Sequence, residues 1–95
     1  MPYRKILAEN LIAFRKVEGI SQFEMSFRTG ISKETISLIE RENTNVTLDV
    51  LEKLAAYTGL TVPELFMDNF VKYNYKLVDT HAQKWKRNNR RKYFV

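Results

Sequence analysis

Residues 21–41, SQFEMSFRTGISKETISLIER, leave this chain little choice of local structure. Ser21 stands three residues before Glu24, the spacing at which a hydroxyl and a carboxylate cap a helix reciprocally, and Ser32 stands where it can cap a second helix. Between them Gly30 follows Arg28-Thr29, where the first of the two helices must stop and the chain must accept a positive φ before it turns. Met25, Ile31, Ile36 and Ile39 are spaced to hold the pair together. Lys33, Glu34, Ser37 and Leu38 are then left on the outward face of the second helix. Two short helices therefore meet through a tight turn, and the second presents a chemically mixed surface.

The flanking sequence supplies a scaffold for that pair. Helical periodicity from about Arg4 sets Leu7, Leu11 and Phe14 on one face, widened by Ile12 and Val17, and Gly19 ends it. After the polar stretch Glu42-Asn43-Thr44-Asn45, Thr47 caps a further helix with Asp49 in its first turn, where the helix dipole favours a carboxylate, and Leu48, Leu51, Leu54 and Ala55 form the expected buried stripe. Gly59 stops that helix. Thr61-Val62-Pro63-Glu64 is a second capping box that opens a short fifth helix through Leu65-Phe66. The fold class expected is all-α, a compact five-helix domain over residues 1–68, followed by a basic, aromatic extension over residues 69–95. In that extension Val71, Tyr73, Tyr75 and Leu77 alternate with Lys72, Asn74 and Lys76, which favours a β-strand over residues 71–77. A sixth helix is the alternative, because Phe70, Tyr73, Leu77, His81 and Trp85 also fall near one helix face.

Ninety-five residues without cysteine, and with His81 as the single histidine, exclude a disulfide framework, thiolate metal sites and most imidazole chemistry. No nucleophile–base pair, metal cluster or phosphate loop is recognisable, so neither an enzyme nor a cofactor is expected. Charge interrupts every apolar run, which speaks against a signal peptide, a membrane span or a membrane partner and for a cytoplasmic chain. Asn45-Val46-Thr47 spells a glycosylation acceptor but reads better as a loop entering a helix cap. The net charge of +5 is unevenly placed: residues 1–66 carry eight Lys/Arg against nine Asp/Glu, whereas residues 67–95 carry eight against two. The basic run over residues 84–92, interleaved with Trp85 and followed by Tyr93-Phe94-Val95, suits phosphate contact or an acidic partner.

Taken in order, Leu11 to Arg15, Gly19-Ile20-Ser21-Gln22, Thr29-Gly30-Ile31-Ser32, Ile36-Ser37-Leu38-Ile39-Glu40-Arg41, Thr47-Leu48 with Leu51, and Gly59-Leu60 with Glu64-Leu65-Phe66 resemble the lambda-repressor-like (Cro/repressor, XRE-type) helix-turn-helix family over residues 4–66. The resemblance implies a double-stranded DNA partner and a transcription regulator, most simply a repressor acting as a homodimer on a pseudo-palindromic operator. It also implies that Gln22 contacts a DNA phosphate and that Arg15 and Glu40 form a partly buried ion pair. The outward chemistry of the recognition helix makes Lys33, Glu34, Ser37 and Leu38 the base-reading candidates. Ser32, Thr35, Arg41, Asn43, Thr44 and Asn45 are candidates for phosphate contact. Three positions depart from the family pattern. Glu42 replaces a common glycine, so Asn43 or Asn45 is expected to make the left-handed turn, and Phe23 and Phe27 stand where polar residues are usual. Those aromatics motivate a second reading, an antitoxin-type module that binds a partner protein and autoregulates through its helix-turn-helix.

Overall fold

In the computed structural model, which describes residues 2–88, the regular structure consists of helices α1 (Tyr3–Glu18), α2 (Gln22–Thr29), α3 (Lys33–Glu40), α4 (Leu48–Thr58), α5 (Val62–Leu65), α6 (Phe70–Tyr73) and α7 (Tyr75–Asn88). Helix starts follow the side chains able to satisfy orphan N–H groups. Ser21, Ser32, Thr47 and Thr61 accept hydrogen bonds from the backbone N–H of Glu24, Thr35, Val50 and Glu64. The capping box is complete only at Thr61, whose N–H donates to Glu64 Oε1 at 2.8 Å. At Ser21 it is half made, because Glu24 turns its carboxylate to Arg28, 2.9 Å away.

One four-residue device is used twice. In Thr29-Gly30-Ile31-Ser32 and Thr58-Gly59-Leu60-Thr61, the first threonine donates to the carbonyl four residues back (2.8 and 2.7 Å) and accepts the N–H two residues on (3.1 and 3.2 Å). The glycine then sits at φ 76° and 75°, the aliphatic residue points inward, and the last hydroxyl caps the next helix. A left-handed residue is needed there in both turns, and glycine takes that conformation without the Cβ penalty.

The core lies between α1, α3 and α4: Leu7, Leu11 and Phe14 meet Met25, Ile36, Ile39, Leu51, Leu54 and Tyr57, with the Phe14 and Tyr57 rings edge to face at 5.4 Å. Leu48 does not join it and is 75% exposed. At 100° per residue, Leu48 falls roughly a quarter of a turn from the line through Leu51, Leu54 and Thr58, so the α4 stripe turns away from it.

The strand expected over residues 71–77 is helix, α6 and the start of α7, and no strand occurs among the described residues. An extended segment must find a partner for its backbone groups, whereas a helix satisfies them internally, and the described residues offer no partner strand. The buried side chains are Val71 and Val78, seven residues apart, which complete the core over α1 and α4. Of the face that the helical alternative proposed, Phe70 packs against the core while Tyr73 and Leu77 stay exposed, and the side chains of His81 and Trp85 lie outside those described. Residues 89–95, with half of the basic residues of the 84–92 run and Tyr93-Phe94-Val95, lie outside the described residues. Asn10 fastens this end of the molecule: 1% exposed, it donates from Nδ2 to the carbonyls of Leu65 and Met67, both at 2.9 Å, and accepts the Val71 N–H at 3.2 Å.

Candidate nucleic-acid interface

Helix α3 buries Ile36 and Ile39 and turns Lys33, Glu34, Ser37 and Leu38 outward, where together with Arg41 they line a shallow depression of about 270 Å³. Lys33 and Glu34 are exposed, while Ser37 and Leu38 are half-buried at its floor. At the N-terminal end of α3 the Ser32 hydroxyl is tied to Thr35, Oγ to Oγ1, at 2.8 Å. At the other end the Arg41 Nε donates to the Ser37 carbonyl at 3.4 Å, which draws the guanidinium back over the last turn.

Orientation of α3 is fixed by a polar network and not by packing alone. Arg15 on α1 grips Glu40 with both arms of its fork, Nε to Oε2 at 2.6 Å and Nη2 to Oε1 at 2.7 Å, and its Nη1 donates to the Ile20 carbonyl at 3.0 Å. Gln22, at the start of α2, donates its Nε2 to the same Glu40 Oε1 at 3.1 Å. One carboxylate thus joins three helices. Its hydrogen bond to Arg15, outweighing the opposing effect of partial burial, holds the Arg15 pKa above the ordinary guanidinium value. The far side of α2 is anchored through Arg28, which reaches Glu24 at 2.9 Å, the Tyr57 hydroxyl at 3.0 Å and the buried Glu18 carboxylate at 3.8 Å. Burial pushes the Tyr57 phenol upward, and the Arg28 hydrogen bond pulls it part of the way back.

After α3 the left-handed residue is Glu42, at φ 59°, and neither Asn43 nor Asn45 has positive φ. The reason lies in the hydrogen bonds that close the helix: Glu42 N–H to the Ile39 carbonyl at 3.0 Å and Asn43 N–H to the Leu38 carbonyl at 2.9 Å. This is the Schellman pattern, and its geometry places the αL residue immediately after the cap, whichever residue occupies that position. Asn43 and Asn45 are exposed and Thr44 is half-buried. The Asn45 carboxamide accepts a hydrogen bond from Arg4, at the start of α1.

Two residues with long-range contacts were missed in the sequence, Asn10 at the α5–α6 end and Arg4 beside the loop after α3. Asn10 is legible in hindsight as a polar residue set on the apolar face of Leu7, Leu11 and Phe14. Arg4 carries no signal, because its partner lies 41 residues away. Among the described residues no group of three or more His, Cys, Asp or Glu side chains could hold a metal ion, and no helix is long and apolar enough to cross a membrane.

Residues 11–65 match the family described as helix-turn-helix. Over 65 residues the chain is 35% identical to Control protein C.SmaI of Serratia marcescens, an overlap that spans 68% of this chain and 77% of that protein. It is 34% identical over 64 residues to a Neisseria meningitidis hypothetical transcription factor, spanning 67% of this chain and 60% of that protein. It is likewise 34% identical over 65 residues to an uncharacterized HTH-type transcriptional regulator, y4dJ, of Sinorhizobium fredii, spanning 68% of this chain and 84% of that protein. No solved structure gives a significant match.

Proposed function

Since this chain belongs to the Cro/C1-type helix-turn-helix family of DNA-binding transcription regulators, we propose that it is a sequence-specific repressor that binds a pseudo-palindromic operator as a homodimer. The observation that carries this reading is the depression on α3, whose four outward residues span donor, acceptor and apolar chemistry on a helix locked in place by Glu40. In it Lys33 donates to guanine O6/N7, Glu34 accepts from cytosine N4, Leu38 meets a thymine methyl and Ser37 bonds to either edge. Gln22, Ser32, Thr35, Arg41, Asn43, Thr44 and Asn45 contact phosphates, which sets register without specifying sequence. The Arg15–Glu40 pair is structural. A two-fold dimer reads half-sites about 34 Å apart, and residues 69–95 supply dimer contacts, backbone contacts or both.

Selection of binding sites from random DNA, followed by titration of the selected duplex, tests the proposal. The wild-type chain recovers a pseudo-palindrome, and the double variant Lys33→Ala, Glu34→Ala loses the preference while retaining weak, sequence-blind binding. Equal affinity of the wild type for every duplex would sink it. Exposure of Phe23 (69%) and Phe27 (57%) on α2 supports a second reading, a protein-interaction module of antitoxin type. Purification from the native host discriminates: a stoichiometric protein partner, released by Phe23→Ser, favours that reading, and its absence counts against it.

A further inference from the structure

The loop that follows the recognition helix, residues 42–47, contains no lysine or arginine, and its one charged residue is the acidic Glu42. A phosphate-tracking loop of that composition lacks a cation of its own. Arg4 supplies one from another element: its Nη2 donates to Asn45 Oδ1 across 41 residues of sequence. Both partners are held from behind. The first turn of α1 is seated by buried Leu7 and by Tyr3, whose ring stands edge-on to Phe66 at 6.1 Å, and the loop is fixed by Asn43 at one end and by the Thr47 cap at the other.

We propose that Arg4 and Asn45 form a composite phosphate-binding site that extends the DNA-backbone footprint from α3 onto the first turn of α1. The chemistry follows from the ligand, because a phosphate oxygen only accepts hydrogen bonds. A lone carboxamide offers it one acceptor as well as two donors, so half of its orientations are repulsive. Arg4 occupies the acceptor, so that what the carboxamide has left to offer is its N–H groups, beside a guanidinium with further N–H groups of its own. Structural work alone does not account for the pair. Both side chains are exposed, and a hydrogen bond between exposed long side chains adds little to stability. In residues 1–66, Arg15, Arg28 and Lys53 face carboxylates, whereas Arg4, like Lys5, Lys16, Lys33 and Arg41, has no carboxylate beside it in the described contacts, and of these it is Arg4 that meets the loop after α3.

This inference rests on the DNA-binding reading and predicts something separate from it. The test uses the full chain with its selected operator and with a random duplex, titrated across a range of salt concentrations. Arg4→Gln keeps a donor for Asn45 and removes the charge. Its expected result is a slope of log Kd against log salt smaller by about 0.9 per protomer and an affinity about fivefold weaker at physiological salt, equally on both duplexes and with an unchanged melting temperature. Arg4→Lys keeps the slope. An unchanged slope in Arg4→Gln, with operator preference intact, overturns the Arg4–Asn45 site alone. Weaker binding that appears only together with a lowered melting temperature also overturns it, by making the pair a structural tether. A wild-type chain with no preference among duplexes overturns the DNA-regulator reading, and this site with it.

Discussion

Helices α3 and α7 both pack on α1, yet they hold it by different chemistry. Helix α3 is bound through Arg15, Glu40 and Gln22 as well as through Ile36 and Ile39, and the turn before it is closed by Ser26, whose hydroxyl donates to the Ile31 carbonyl at 2.6 Å. Helix α7 buries Val78, and the short α6 before it buries Val71 and begins at Asn69, at φ 54°, with no side-chain cap. Apolar contact holds a helix in place but lets it rotate or slide at small cost, because it has no direction. A bidentate ion pair fixes both distance and angle. The bidentate ion pair is therefore found at α3, where one face must be presented to a partner in a set orientation, whereas at the other end the described contacts are the buried Val71 and Val78 and the Asn10 hydrogen bond that ties the Val71 N–H to α1.

The largest effect expected from this contrast is in Arg15→Ala. It leaves the Glu40 carboxylate, 6% exposed against 22% for the Arg15 side chain, with Gln22 as its remaining hydrogen-bond donor in the network. Loss of one partner from a largely buried pair costs about 3 kcal/mol, read as a drop in the urea midpoint. Glu40→Gln, which keeps the shape and loses the charge, should cost less. If Arg15→Ala were near neutral, α3 would be held by packing alone and the contrast with α7 would vanish.

Val78→Ala is the matching test at the other end. Removing two buried methyl groups from a site with no solvent access should cost about 2 kcal/mol in thermal or urea unfolding. A cost near zero would make α7 an ornament on the motif and not part of its core. A loss of operator affinity beyond what the lost stability explains would show that α7 also helps to orient α3.

These two ends differ as much in legibility as in chemistry. Ser21, Ser32, Thr47 and Thr61 mark helix starts because capping is a local transaction, settled within three residues of chain. Lys33, Glu34, Ser37 and Leu38 could be placed outward because Ile36 and Ile39 fix the phase of a short helix between two caps. Val71 and Val78 offer no such help. Two valines seven residues apart are a thin stripe, and the more conspicuous Tyr73, Tyr75 and Leu77 between them remain in solvent. Alternation that happens to resemble a strand was outweighed by tertiary packing and by the want of a neighbouring strand among the described residues. Leu48 misled for a related reason: apolar character gives no direction until the helix phase is known. Asn10 and Arg4 act over 55 to 61 and over 41 residues of sequence, distances at which spacing carries no information.

The smallest effect, and one of opposite sign, is expected at the loop joining α3 to the rest of the molecule. Glu42 holds φ 59° with a Cβ that crowds its own backbone, a conformation that costs a non-glycine residue about 1 kcal/mol or more. The hydrogen bonds from Glu42 and Asn43 to Ile39 and Leu38 are backbone bonds and survive any substitution there. Glu42→Gly relieves the crowding and also frees the unfolded chain, which offsets part of the gain, so a net stabilisation of about 0.5 kcal/mol is expected as a small rise in melting temperature. The same change removes the one negative charge from residues 42–47, so DNA affinity should rise modestly on every sequence, and more at low salt than at high. Destabilisation by Glu42→Gly would mean that the glutamate side chain holds the loop. In that case the α3 end of the molecule would depend on one more directional contact than the backbone pattern requires, and its difference from α7 would be wider still.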